Sequence, residues 1–380
     1  MEITGGIKMG KLVKVSVIAG LVSLCAFTLP DVKDNITNIQ QNVNRTVKAE
    51  TRQDKKIYKY RQDKKKTSKF SSIKAECNSL DIVIDKSDSK DFYISYNLNC
   101  KNSSNPVSYK VEDGVLYIKE TKLEWPSAHV YINKWDKLGK DVNYKNYINK
   151  VYVHIPSDIN LKNIGFDTGS GDLYIKNISV EDGKFNTESG DLDITGSKIT
   201  GSVDIRTGSG DVDIDKSDIN KIFKIKTESG DIEVYNSSVN AQLYVNAGSG
   251  DVDIDKSLIN KTFKIKTESG DIEAYNSKVK GKLDIQTSTG DVDIANLDIS
   301  GNTDIQTSGG DVDMMFNKKN IEKLGITMTA KDGDMHVDKS YKGTKKKKGD
   351  SYVYVRNVNG DKTTKPFLNV TSVWGDIELN

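Results

Sequence analysis

The chain has 380 residues, with 56 Lys and Arg against 54 Asp and Glu, so its formal charge is +2. That balance gives no support to nucleic-acid binding. The length suits one large domain or two ordinary ones.

Residues 1–30 read as a signal peptide or a membrane anchor. Lys8, Lys11 and Lys14 precede the apolar run Val15–Leu29, the pattern of an export signal. Counted from Leu12, with Lys14 snorkelling, the run is just long enough to span a bilayer. The lysines before it and "PDVKDN" after it place the remaining chain outside the cytoplasm. Cys25 invites a lipidation reading, but Leu24 stands where a small residue is expected. "VKAE" at 47–50 resembles a cleavage site far from the apolar run, which favours the anchor. The expected location is therefore membrane-anchored and extracellular, or secreted.

Residues 31–70 form a polar, Lys-rich linker ending near "RQDKKIYKYRQDKKK". Cys77 and Cys100 follow; after export they are either bridged or free.

Residues 71–165 are expected to hold degenerate β coils and a cap. "DIVIDKSDSKDF" at 81–92 matches "DVDIDKSDINKIF" at 211–223 with one deletion, and "VEDGVLYI" at 111–118 resembles "TESGDIEV" at 227–234. The segment 123–150 interrupts the pattern. It concentrates Trp125, Tyr131, Trp135, Tyr144 and Tyr147 with Lys134 and Lys137. Aromatics beside cations suit partner hot spots and sugar stacking, so these five are the candidate partner-binding residues. The alternative is that the rings cap the first coils.

From 166 to 340 the chain repeats. Gly–Asp pairs stand at Gly171–Asp172, Gly190–Asp191, Gly210–Asp211, Gly230–Asp231, Gly250–Asp251, Gly270–Asp271, Gly290–Asp291 and Gly310–Asp311. Such a fixed period is a solenoid signature. Residues 208–237 recur at 248–277 with three changes. Within a period, Val212 and Ile214 alternate with Asp211 and Asp213, and Phe223 and Ile225 with Lys224 and Lys226. Period two with β-branched residues means strand. The expected fold is all-β: a parallel β-solenoid with coils of about 20 residues and two short strands per coil. The Gly–Asp pairs are its structural turns, with glycine expected at φ > 0 and Ser and Asp bonding the turn backbone.

Asp213, Glu233, Asp253, Glu273 and Asp293 should form an acidic column beside Asp211, Asp231, Asp251, Asp271 and Asp291. Asp204, Lys224, Lys264 and Asp284 should share another outward column. Calcium would relieve the acidic repulsion, but the Gly-Gly-x-Gly-x-Asp nonapeptide of calcium β-rolls is absent. Water, salt and lysine suffice, so no cofactor is expected. Residues 341–380 read as a basic loop, Lys345–Lys348, and a C-terminal coil.

"VYVHIPSDINLKNIGFDTGSGDLYI" at 151–175 and the recurrent T-x-S-G-D-[LVI]-x-[ILV] resemble the DUF4097 β-strand-repeat proteins, often labelled putative adhesins. The resemblance covers about 71–380, with the best fit over 151–315. It implies an exported or membrane-anchored β-solenoid with no known cofactor and no catalytic residues to carry over.

Three functions are weighed. The first is a surface-displayed, non-catalytic structural and interaction protein, an adhesin, whose partner is a protein, a glycan or another envelope component. The second is an accessory of envelope stress or signalling that binds a membrane partner. The third, polysaccharide cleavage, has little to build on. Arg206 is the only Arg between 62 and 355, His129, His154 and His336 do not cluster in sequence, and no hydrolase or Walker motif is present.

Overall fold

Each twenty-residue period folds into one coil. Val212–Asp215 leaves the Gly–Asp corner, Asp218–Ile219 forms a two-residue strand, and Phe223–Lys226 returns to the next corner. The two expected strands are therefore joined by a third, very short one. Val212, Ile214, Ile219, Phe223 and Ile225 are buried, while Asp213, Lys224 and Lys226 are exposed. The structure, a computed structural model, describes residues 58–121, 149–316, 324–356 and 367–380. The chain divides into two compact units. One comprises Met1–Lys59, Asn99–Ser104 and Leu123–Tyr147; the other comprises Tyr60–Leu98, Asn105–Lys122 and Ile148–Asn380 and holds the solenoid.

Successive coils stack parallel and in register. Val212 pairs with Ile232, which pairs with Val252; Phe223 pairs with Leu243, which pairs with Phe263. The strands after the Gly–Asp corners make a front sheet, fourteen-stranded among the described residues. Those before the corners make a back sheet. Inward side chains of both, with the Ile199, Ile219, Val239 and Ile259 column, form one continuous apolar core.

The Gly–Asp corner works differently from the expectation. Positive φ among the described glycines occurs at Gly114, Gly196 and Gly349, not at Gly230. Glycine is required at 230 by contact between coils: a Cβ there would lie 2.0 Å from the Gly210 carbonyl oxygen. Asp has its own reason. The Asp231 N–H donates to Asp211 Oδ1 of the preceding coil at 2.8 Å, and Asp251 N–H to Asp231 Oδ1 at 2.8 Å. Each carboxylate satisfies the next coil's amide. Thr227 Oγ1 accepts the Gly230 N–H at 2.8 Å and closes the turn locally. The left-handed residues sit at the opposite corner: Asn177, Gly196, Lys216, Asn236, Lys256, Asn276 and Asn296 all have φ between 48° and 61°. Buried serines support that corner, with Ser217 N–H donating to Ser237 Oγ and Ser237 N–H to Ser257 Oγ.

The ends depart from chain order. Asp81–Ser87 lies between Lys150–Pro156 and Leu173–Lys176. At the other end Ile377–Leu379 lies between Val312–Met315 and Met335–Val337, and Phe367–Ser372 between Thr303–Thr307 and Gly325–Ala330. The stretch resembling a degenerate lap, 111–118, is instead an antiparallel hairpin of Val107–Glu112 and Val115–Glu120. Asp113 and Gly114 at φ 50° and 74° make its two-residue turn, the usual role of an Asp-Gly pair between strands. Tyr58–Lys66, placed in the linker by sequence, is the edge strand of the front sheet beside Tyr93–Cys100. Thr344–Lys348, expected as a loop, is an exposed strand paired antiparallel with Ser351–Arg356. Both lysine runs thus lie on outermost strands, where repelled charge blocks edge-to-edge pairing.

Glu120 closes the first corner. Its Oε2 accepts the N–H groups of Asn78, Ser79 and Leu80 at 2.7, 2.8 and 3.0 Å, and Oε1 accepts the Ser79 hydroxyl at 2.9 Å. Glu120→Ala leaves three amides short of their acceptor and is expected to cost about 3 kcal/mol. A denaturant titration checks this, with Glu120→Gln recovering part of the loss. Cys77 and Cys100 are free thiols. Burial pushes the Cys77 thiol up to about 12, away from reactive thiolate.

Candidate functional site

Outward side chains of a solenoid fall into columns, so any binding chemistry is repeated once per coil. On the front sheet the register aligns Asp193, Asp213, Glu233, Asp253, Glu273 and Asp293. The corner aspartates run beside them, and Asp211, Asp213, Asp231, Glu233, Asp251 and Asp253 line an open cleft of about 260 Å³. The sequence-derived acidic columns are therefore adjacent in space. Among the described residues, no group of three or more His, Cys, Asp or Glu side chains is arranged to hold a metal ion.

The acidic column carries an electrostatic load. Desolvation between stacked coils, and then repulsion from Glu233 and Asp193, raise the Asp213 carboxyl from its ordinary value near 3.8 to about 6. Asp253, Glu273, Asp293 and Asp313 are raised by the same causes. A carboxyl raised in the folded state binds protons that the unfolded chain has already lost. Its contribution is present below the unfolded value and disappears as pH rises through the folded one. The melting temperature is expected to be higher near pH 5 than near pH 7.5. Asp213→Asn should flatten that slope slightly, because solvent screens an exposed group. Differential scanning calorimetry across the two pH values checks both.

The back sheet is mixed over the same coils, with basic residues in excess. Lys184, Asp204, Lys224, Tyr244, Lys264 and Asp284 follow one another in one column. Arg206, Lys226, Asn246 and Lys266 follow in the next. Asp204 is paired with Arg206 at 3.3 Å, and Asp284 with Lys282 and Lys264 at 3.3 and 3.7 Å.

A polar row crosses three strands near the N-terminal end of the front sheet. Register sets Tyr93 opposite His154, and His154 opposite Asp85. His154 Nδ1 lies 2.7 Å from Asp85 Oδ1, and Nε2 lies 3.4 Å from Ser95 Oγ. Ser95 Oγ also accepts the Lys64 N–H at 3.0 Å. Sequence reasoning missed this row, since its members are spread over residues 85–154 and only stacking brings them together. The order Ser–His–Asp is that of a hydrolytic relay. Nucleophilic catalysis also needs oxyanion donors around an enclosed substrate position, whereas this row lies along the outward face of a sheet.

Two further surface features lie toward the C-terminal end. Tyr352 is flanked by Lys345 and Lys347, whose Nζ atoms are 4.5 and 4.7 Å from its ring centre. Trp374 is 68% exposed and stands where most corners carry Ser before Gly–Asp; that departure was its sequence signal. The candidate partner residues Trp125, Tyr131, Trp135, Tyr144 and Tyr147 lie outside the described residues, as does the apolar segment of 1–30. Among the described residues no helix is long and apolar enough to cross a membrane. The sixteen Gly–Asp turn residues all lie within the described range, from 171 to 311.

No curated protein matches the sequence. Among solved structures, a putative adhesin from Bacteroides fragilis shares 13% identity over 86% of this chain and 98% of its own, with a TM-score of 0.31. A putative cell adhesion protein from Clostridium sporogenes shares 10% over 85% and 98%, with a TM-score of 0.16. A putative lipid binding protein from Parabacteroides distasonis shares 13% over 86% and 98%, with a TM-score of 0.32. At these values nothing about ligand or role follows from them. The family model Toastrack DUF4097 matches residues 36–276 and again 223–380. Those matches cover most of the chain and all of its corner ladders: this protein belongs to the Toastrack DUF4097 family.

Proposed function

We propose that the chain is an exported, surface-displayed structural and interaction protein of the adhesin kind, and that it is non-catalytic. The observation carrying this reading is the even distribution of its chemistry. The corner Asp recurs once per coil along the solenoid, and Thr and Lys recur on several coils, which suits an extended contact surface rather than a single reaction centre. The basic flank and apolar run of residues 1–30 support export and anchoring or secretion. The 123–150 segment is the candidate partner surface, through Trp125, Tyr131, Trp135, Tyr144 and Tyr147.

Pull-down from intact envelope tests the reading. Trp125→Ala with Trp135→Ala should abolish capture of the partner while leaving the β-rich circular dichroism and the melting temperature near those of the unaltered chain. A collapse of stability would assign the segment to capping. The enzyme alternative has its own test at the polar row. A fluorophosphonate probe, which labels activated serines, is expected to react no more with the chain than with its Ser95→Ala variant. Stoichiometric labelling of Ser95 would contradict the non-catalytic reading.

A further inference from the structure

We propose that the solenoid associates side by side with a second copy of itself, the acidic outward face of one front sheet seating against the basic outward face of another copy's back sheet. The inference goes beyond the surface-interaction reading and does not depend on export.

The chain is nearly neutral as a whole, yet its charges are sorted by face. Over the same coils the front sheet presents Asp213, Glu233, Asp253 and Glu273, and the back sheet presents Lys224, Lys226, Lys264 and Lys266. Among the described residues, Lys224, Lys226 and Lys266 form no ion pair, and neither do those four acids. The acidic column therefore holds like charges at strand spacing, about 4.8 Å apart, which repel, while on the back sheet Tyr244 separates Lys224 from Lys264 and Asn246 separates Lys226 from Lys266. The two faces belong to different sheets of one coil and look in different directions, so one molecule cannot neutralise its own ladders.

A second copy can. The acids recur on every coil and the lysines on alternate coils, so in any register displaced by whole coils each of these lysines in one copy meets an acid of the other. Opposed faces relieve the repulsion in the acidic column, and complementary fields also speed encounter. The contact joins two different surfaces and leaves one of each unused on the outer molecules. It is heterologous and open, so it extends into arrays rather than closing as a dimer. Burial first, and then repulsion from Glu233 and Asp193, raise the Asp213 carboxyl within this face.

The test uses the full-length chain in a non-ionic detergent, with EDTA present, in sedimentation velocity. At about 20 mM salt, species larger than the single chain are expected, and they should disperse near 0.5 M, where screening shortens to a few ångströms. The variant Lys224→Glu/Lys226→Glu/Lys264→Glu/Lys266→Glu carries two acidic faces. The variant Asp213→Lys/Glu233→Lys/Asp253→Lys/Glu273→Lys carries two basic ones. Each alone should remain single, and mixing the two should restore assembly. Circular dichroism reports whether either variant has lost its fold, and the salt titration of the unaltered chain needs no variant. A single species at low salt overturns the proposal, as does association that survives high salt or either charge reversal. Association that appears only when calcium replaces EDTA also overturns it, because a cation would then join two acidic faces.

Discussion

Gly230→Val is expected to lower stability by more than about 3 kcal/mol, at the upper end of overpacking effects. The reason is contact between coils. A Cβ at 230 would lie 2.0 Å from the Gly210 oxygen and 2.5 Å from its carbon. These are backbone atoms inside a ladder, with no rotamer to move aside. Relief requires the two coils to separate, which breaks the Asp231 to Asp211 hydrogen bond at the same corner. Asp231→Asn should cost far less, since its side-chain oxygen can still accept the Asp251 amide now bound at 2.8 Å. Thermal melts of both variants decide the matter. A Gly230→Val shift below about 3 °C, roughly the effect of 1 kcal/mol in a domain of this kind, would contradict the account of the corner.

Ending the chain after residue 366 is expected to release the C-terminal cap as a unit. The lost segment carries Leu368, Val370, Ile377 and Leu379, all fully buried. At about 1.5–3 kcal/mol each, their burial is worth roughly 6–12 kcal/mol before the entropy of ordering the segment is set against it. The effect spreads because this last segment is not the last coil in space. Phe367–Ser372 is the parallel partner of both Thr303–Thr307 and Gly325–Ala330. Removing it leaves Gly325–Ala330 without its solenoid neighbour. Hydrogen exchange should show loss of protection at Ile326 and Met328, with the amides of 203–286 retained, as nearest-neighbour stabilisation in a repeat array predicts. Loss of protection along the whole solenoid would show that the coils fold as one cooperative unit instead.

Much of this architecture was legible because the coil is a local object. Alternation in "DVDI" and "FKIK" fixes which residues point inward, and a period of twenty from Gly190 to Gly310 fixes which residues stack. The acidic columns and the Asp204–Lys224–Lys264–Asp284 column follow from that arithmetic alone. The glycine of the corner was explained by the wrong physics. Glycine permits two things, positive φ and close approach, and sequence does not say which is used. The left-handed column did leave a trace in Asn177, Gly196, Asn236, Asn276 and Asn296, residue types that tolerate that region. Lys216 and Lys256 obscured it. The intercalated ends were not legible, because 81–87 and 377–379 have the same local pattern wherever they insert; only long-range pairing sets their place. The Asp113–Gly114 hairpin was misread since Gly beside an acid serves both kinds of turn. Ser95, His154 and Asp85 lie on three separate strands, so no local motif joins them.

The proposed role rests on a solenoid displayed outside the cell, and the lysines of its C-terminal hairpin test that directly. Lys345, Lys346, Lys347 and Lys348 are all exposed. An amine reagent that does not cross membranes, applied to intact cells and followed by peptide mass analysis, should modify this stretch as fully before lysis as after it. Modification that appears only once the membrane is broken would place the solenoid inside and contradict the proposed role.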